Sequence, residues 1–211
     1  MKLYGISGLG ADERVFGYLT LDCELVPIQW IEPTKNETVD EYSFRLFQSI
    51  NKEEPFGVLG VSFGGLVAVE ISKKLNPKLT ILISSAETKN ELRGMFRVIG
   101  KTGLLKIMPQ SFFDPPRILA HWVFGTKRKK LLNQILDDTN LKFAKWAVTE
   151  LVNWKNEQKL SNQILKISGT HDKLIPPSRS KNQKLIEKGE HFMIVDRAQE
   201  ISQIINEEIM R

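Results

Sequence analysis

The chain has 211 residues, 41% of them hydrophobic and 26% charged, with a formal net charge of +5. That length fits one domain with a sizeable core and room for an insertion, and the composition is that of an ordinary globular protein. No run reaches the roughly 18 apolar residues a membrane-spanning helix needs, and MKLYGISGLG meets a glycine turn too early for a secretory signal peptide.

The single cysteine, Cys23, has no partner for an internal disulfide, so a reducing, cytoplasmic setting is expected. The positive charge is local. Residues 87–159 hold 14 basic and 7 acidic residues, whereas the rest of the chain holds 16 and 18. The densest stretch is Lys127–Lys130. Such a run can meet nucleic acid or an anionic surface, but four charges are few phosphate contacts, and a solvated face is the expected role.

Short apolar runs alternate with helical patterns, which argues for βα units around a mostly parallel sheet. Lys2–Ser7 reads as a strand ending at Gly8-Leu9-Gly10. Cys23–Ile31 reads as a second strand, with Pro27 marking an edge or irregular position. Thr38–Ile50 reads as a helix with a capping box, Thr38 followed three residues on by Glu41. Phe56–Val61 is a short buried strand, Leu66–Leu75 a helix stopping before Asn76-Pro77, and Leu79–Ala86 another buried strand.

From Glu87 to about Lys159 strand signals give way to amphipathic helical patterns punctuated by Pro109, Pro115 and Pro116. Seven of the 18 aromatic residues lie between Phe112 and Trp154. The strand-helix rhythm resumes with Gln163–Gly169 and then the run Lys184–Val195, broken by a glycine turn. A last helix, about Arg197 to Met210, places Ile201, Ile204, Ile205 and Ile209 on one stripe.

Gly60-Val61-Ser62-Phe63-Gly64 matches G-x-S-x-G between a predicted strand and a predicted helix. A serine on such a turn takes a strained backbone that small neighbours make tolerable, and it sits where helix N–H groups can hold a developing oxyanion. Without that context, Ser62 would be a small residue in a packing turn.

A serine nucleophile needs a base and an orienting carboxylate. Of three histidines, His121 sits among aromatics in the middle segment, and His171 directly precedes Asp172. His191 follows a strand-like run and a glycine turn, and is the expected base. Asp172, in the loop after Gln163–Gly169, is the expected acid. Glu87, after Leu79–Ala86, is the alternative, and Asp196 is expected to cap the last helix. The oxyanion donors expected are the backbone N–H groups of Phe63 and Leu9, and the Leu9 side chain is positioned to line an acyl pocket.

These residues resemble the α/β-hydrolase superfamily, near its small carboxylesterase-like members. SGLG resembles the H-G-x-G oxyanion loop, GVSFGG the nucleophile elbow, GTHDKLIP the acid loop and GEHFMIV the histidine loop. The resemblance implies a sheet of about six strands flanked by helices, without the family's two leading antiparallel strands. Residues 1–86 and 161–211 would form the core, and 87–160 a helical cap. It also implies convergence of Ser62, Asp172 and His191. Ser7 stands where the family usually has the histidine of H-G. The activity implied is hydrolysis of a carboxylic ester or thioester through an acyl-enzyme. Acyl transfer or lyase chemistry with the same triad, or a non-catalytic binding module, are the alternatives. No metal or organic cofactor is called for, and no nucleic-acid partner. The aromatics Phe112, Phe113, Trp122, Phe124, Trp146 and Trp154 suggest a substrate with an apolar portion under the cap, the alternative being that most of them pack the cap onto the core.

Overall fold

The computed structural model describes residues 1–178 and 182–211. The chain begins with β1 (Lys2–Ile6), a 3-10 turn (Glu13–Tyr18) and β2 (Leu25–Pro27). Helix α1 (Val39–Leu46) then leads to β3 (Phe56–Val61), α2 (Phe63–Leu75) and β4 (Leu79–Ile83). Five helices follow: α3 (Gly94–Thr102), α4 (Leu104–Ile107), α5 (Arg117–Phe124), α6 (Lys129–Asp137) and α7 (Leu141–Asn153). Strands β5 (Gln163–Gly169) and β6 (Gln183–Ile186) and helices α8 (Met193–Asp196) and α9 (Ala198–Ile209) complete the chain.

The six strands form one sheet in the order β2-β1-β3-β4-β5-β6, and every neighbouring pair is parallel. Parallel strands need helical crossovers, and those helices bury both faces of the sheet. Successive strand residues accordingly point to opposite cores. On β1, Tyr4 belongs to the core that includes α1, α2 and Phe143 of α7, while Leu3 belongs to the one that includes Ile201 and Ile205 of α9. On β3, Val58 joins the first cluster and Leu59 the second.

The parallel sheet and flanking helices agree with expectation, and β3 and β5 occupy the residues read from sequence. Others differ at their ends for local reasons. β2 shrinks to three residues at the sheet edge, and Pro27 is tolerated there because the ladder runs through its neighbour: the Ile28 N–H donates to Gly5 C=O at 2.8 Å. β4 stops at Ile83, where Ser84 turns to φ +47°. β6 stops at Ile186, because Lys188 (φ +55°) and Gly189 turn the chain, and Met193–Asp196 coils into α8. Helix α2 starts three residues early, directly at Phe63.

The cap of α1 is as read: the Thr38 side chain accepts from the Glu41 N–H, and the Glu41 side chain accepts from the Thr38 N–H. Asp196 does not cap α9. The position before that helix is Arg197, and the Asp196 carboxylate accepts from the Lys127 N–H at 3.0 Å. The two residues lie far apart in sequence, so no local pattern could reveal this bond.

Candidate active site

Ser62 stands between the last residue of β3 and the first of α2, with φ +52° and ψ −121°. This is a region non-glycine residues rarely occupy, so the surroundings must hold it there. Three bonds do so. The Ser62 N–H donates to Ile83 C=O at 2.9 Å, its C=O accepts from the Gly65 N–H at 2.9 Å, and Ser85 Oγ donates to the same C=O at 2.7 Å. The flanking glycines answer to contact as well. A Cβ at Gly60 would lie 2.5 Å from Gly65 Cα, and one at Gly64 would lie 2.1 Å from Ser7 O and 2.5 Å from Ile6 O. Real Cβ atoms do not approach backbone so closely, so the elbow requires both glycines.

The loops after β5 and β6 come together in front of this elbow. Asp172 follows β5 by three residues, and His191 follows β6 by five. The two loops pass so close that a Cβ at Gly169 would meet Gly189 O at 2.2 Å. The His171 N–H donates to Gly189 C=O at 2.9 Å, tying one loop to the other. His171 itself is exposed, and His121 Nε2 lies 2.7 Å from Asn133 Oδ1 in the helical segment.

His191 Nε2 lies 2.8 Å from Ser62 Oγ, and His191 Nδ1 lies 2.8 Å from Asp172 Oδ2 and 3.0 Å from Oδ1. Asp172 and His191 are 3% and 4% exposed. Asp172 Oδ1 also accepts from the N–H groups of Leu174 and Ile175, at 2.8 and 2.9 Å. A carboxylate can only accept, so Nδ1 donates to it, and Nε2 is left with a lone pair facing the serine hydroxyl. The arrangement can take the Ser62 proton as Oγ attacks a carbonyl and stabilise the imidazolium that results.

Glu87 is not part of this chain of bonds. Its carboxylate accepts from the Leu160 N–H at 2.8 Å, and its own N–H donates to Glu91 Oε2. Glu91 in turn takes the buried Lys166 ammonium of β5 at 2.5 Å. This group fastens the segment after β4 to the sheet.

The loop after β1 lies alongside the elbow, where a Cβ at Gly8 would sit 3.5 Å from Ser62 Cβ. Its turn is closed by the Ala11 N–H donating to Gly8 C=O. Among the described residues, the Leu9 and Phe63 N–H groups have no protein acceptor. Phe63 opens α2, where the first N–H groups have no carbonyl one turn back. Ser7 supports the loop by another route than a histidine would. Its Oγ donates to Ala11 C=O at 2.7 Å, and the Trp30 indole N–H donates to Ser7 Oγ at 2.9 Å. Trp30 and Ser85 are the supporting residues that the sequence pattern did not single out. Both act through long-range contacts that leave no local periodicity.

Ser62 and His191 open into an apolar cavity of about 360 Å³. Leu9 lines it, as do Phe96, Leu105, Phe113 and Phe124 from the helical segment. Of the six aromatics weighed for that role, Phe112, Phe113 and Phe124 line the cavity and the three tryptophans do not. Trp146 packs on Tyr42 and Phe63, with its N–H on Glu37 C=O, and the Trp154 N–H donates to Glu70. Trp122 faces outward with the Lys173 ammonium 5.5 Å from its ring centre. A second, more open groove of about 950 Å³ runs between α7 and the α1–α2 side, lined by charged residues such as Lys73, Lys145 and Glu150. Neither Ser62 nor His191 borders it.

Comparison with solved structures places this architecture. An esterase from Thermogutta terrifontis matches with a TM-score of 0.70 and 13% identity, covering 100% of this chain and 89% of its own. The chain has the α/β-hydrolase fold. A bromoperoxidase from Bacillus anthracis matches with a TM-score of 0.72 and 15% identity, covering 100% of this chain and 92% of its own. The RedJ thioesterase of the prodiginine biosynthetic pathway in Streptomyces coelicolor matches at 0.68 and 13%, with 99% and 90% covered. No family model matches the chain, and no curated protein does. At such identities the likeness shows an α/β-hydrolase fold shared by proteins of differing chemistry, and function must come from the site.

Proposed function

We propose that this chain is a serine hydrolase that cleaves a carboxylic ester or thioester with an apolar acyl portion. One observation carries the reading: Ser62 Oγ, His191 and Asp172 form an unbroken line of hydrogen bonds, each 2.8 Å at its shortest, at the wall of an apolar cavity. In this reading His191 deprotonates Ser62 as Oγ attacks the carbonyl carbon. The Leu9 and Phe63 N–H groups take the oxyanion, and His191 then protonates the leaving alcohol or thiol. Water deprotonated by His191 attacks the acyl-enzyme and frees the acid and Ser62. Residues 87–160 act as a cap whose inner wall receives the acyl chain, and residues 1–86 and 161–211 form the catalytic core.

A fluorophosphonate probe tests the nucleophile. Labelling is expected on the wild type and absent from Ser62→Ala, with p-nitrophenyl ester turnover lost by about 10⁴-fold or more in that variant. An unlabelled wild type, or label on another residue, overturns the assignment. A panel of p-nitrophenyl esters then sizes the pocket: butyryl and longer acyl groups should be turned over faster than acetyl.

A further inference from the structure

Twelve large hydrophobic side chains are exposed among the described residues, and eight of them fall between Met95 and Trp122. Ile118 is 86% exposed, Ile107 80% and Trp122 63%. Isolated surface hydrophobics are normal, whereas so many exposed in one stretch of chain point to a contact surface. Helix α5, RILAHWVF, is apolar almost all round. Ala120 is buried and Val123 and Phe124 line the cavity, whereas Ile118, Leu119 and Trp122 stand in water. The pattern repeats on α3 and α4: Phe96 and Leu105 line the cavity, while Val98 and Ile107 are exposed. A surface helix without a polar face is suited to something apolar on its outer side.

Charge narrows what that something is. From Gly94 to Lys130 the sequence carries eight basic residues and one acidic residue, Asp114, which is paired with Arg117. Lys101, Lys106 and Lys127–Lys130 are exposed, and Lys173, ion-paired with Glu190 at 2.7 Å, lies beside the Trp122 ring. Aliphatic side chains and a tryptophan within a field of lysines match a bilayer surface, with acyl chains beneath negative headgroups. No helix among the described residues is long and apolar enough to cross a membrane, so the contact is peripheral.

We propose that the outer face of α3–α5 docks on an anionic lipid surface. Ile107, Ile118 and Trp122 enter the headgroup boundary, and Lys101, Lys106, Lys127, Lys129 and Lys130 lie against lipid phosphates, while Arg128 stays stacked on the Tyr18 ring. The run Lys127–Lys130 thereby gains a role that the proposed hydrolysis does not give it. The inner side of the same helices lines the cavity at Ser62, so docking sets that cavity one helix away from the lipid. Docking itself does not depend on the hydrolase reading.

The test is co-sedimentation of the full chain with vesicles of phosphatidylcholine alone and of phosphatidylcholine mixed with phosphatidylglycerol. Wild type and Ser62→Ala are expected to bind the mixed vesicles equally, so a failed hydrolase assignment leaves this result unaffected. Binding should weaken as salt rises and should be slight on phosphatidylcholine alone. The double variant Ile118→Ser/Trp122→Ser should lose at least about tenfold in partitioning, since even one buried apolar side chain contributes enough for that. Replacing Lys127, Lys129 and Lys130 by glutamates should abolish the preference for the anionic vesicles. Both variants alter exposed side chains, and an unchanged urea midpoint shows that they remain folded. Failure of wild type to sediment with the mixed vesicles overturns the proposal, as does equal binding by the double variant. So does a wild-type dimer that Ile118→Ser/Trp122→Ser converts to monomer, because the face then belongs to a second copy of the chain.

Discussion

The loop layer at the carboxyl ends of β3, β5 and β6 contrasts with the helices α3–α5 that lie over it. In the loop layer, side chains that carry polar groups are held from several directions. Asp172 accepts from two backbone N–H groups as well as from His191, and the Ser62 backbone is held by Ile83, Gly65 and Ser85. Glycines let the elbow and the two loops pack with no room for a methyl group. In the helices above, apolar side chains that a closed core would bury are left in solvent. On the proposed reading the difference separates two tasks. Positioning a proton-transfer relay needs atoms fixed to a fraction of an ångström, and admitting a substrate or a surface needs a layer whose outer contacts are still open.

The largest effects should come from the fixed layer. Asp172→Asn keeps the shape of the acid and loses its acceptor-only character, so His191 is free to adopt the wrong tautomer. Ester turnover is expected to fall by about 10³–10⁴-fold with little change in KM. Glu87→Gln should leave turnover nearly unchanged, because Glu87 bonds to Leu160 and not to His191. If Glu87→Gln is the inactive member of the pair, the proposed relay is wrong.

Gly64→Ala should break the same layer by sterics alone. Its Cβ would meet the backbone carbonyl oxygens of Ile6, at the end of β1, and Ser7, in the loop after it, neither of which can swing away. A loss of about 3 kcal/mol or more in unfolding free energy is expected, or failure to fold. On the open layer, Ile107→Ser should stay within about 0.5 kcal/mol of wild type. Urea titration of the two variants measures the contrast, and equal losses would erase it.

The same contrast accounts for what the sequence discloses. β3 is legible to the residue because a strand buried on both faces is a continuous apolar run, FGVLGV. The places of Ser62, Asp172 and His191 could be read because each follows a strand across a short turn, and short turns leave glycine and charged residues as signals. The start of α2 was hidden, since Phe63-Gly64-Gly65 has poor helix propensity and is helical only because the elbow packs against β1 and Ser85. The roles of Trp30, Trp146 and Trp154 were also hidden. Spacing along one helix shows that a residue is apolar, but not whether it meets the cavity, another helix or solvent.

A smaller effect is expected at α1, which lines the charged groove rather than the relay. Thr38→Ala removes the acceptor for the Glu41 N–H and half of the capping box. Stability should drop by about 1 kcal/mol, with ester turnover unchanged. A matching fall in turnover would mean that the sheet side transmits to the elbow and that the two layers are not separable.

The smallest effect lies at the seam, where α7 meets α1. Glu150 accepts from the Val39 N–H at 3.3 Å, and burial pushes its carboxyl above the ordinary 4.5 despite that bond and the nearby Lys106 and Lys155. A raised carboxyl means that the folded chain holds this proton to higher pH than the unfolded chain does. Stability is therefore undiminished below the unfolded value and falls as pH rises through the window between the two, and the cost persists above it. Glu150→Gln keeps the acceptor for Val39 and removes the charge. Its urea midpoint should exceed that of wild type at pH 7 and converge with it near pH 4, where both side chains are neutral. A constant offset at the two pH values would show that α7 is held to α1 by shape and not limited by this buried charge.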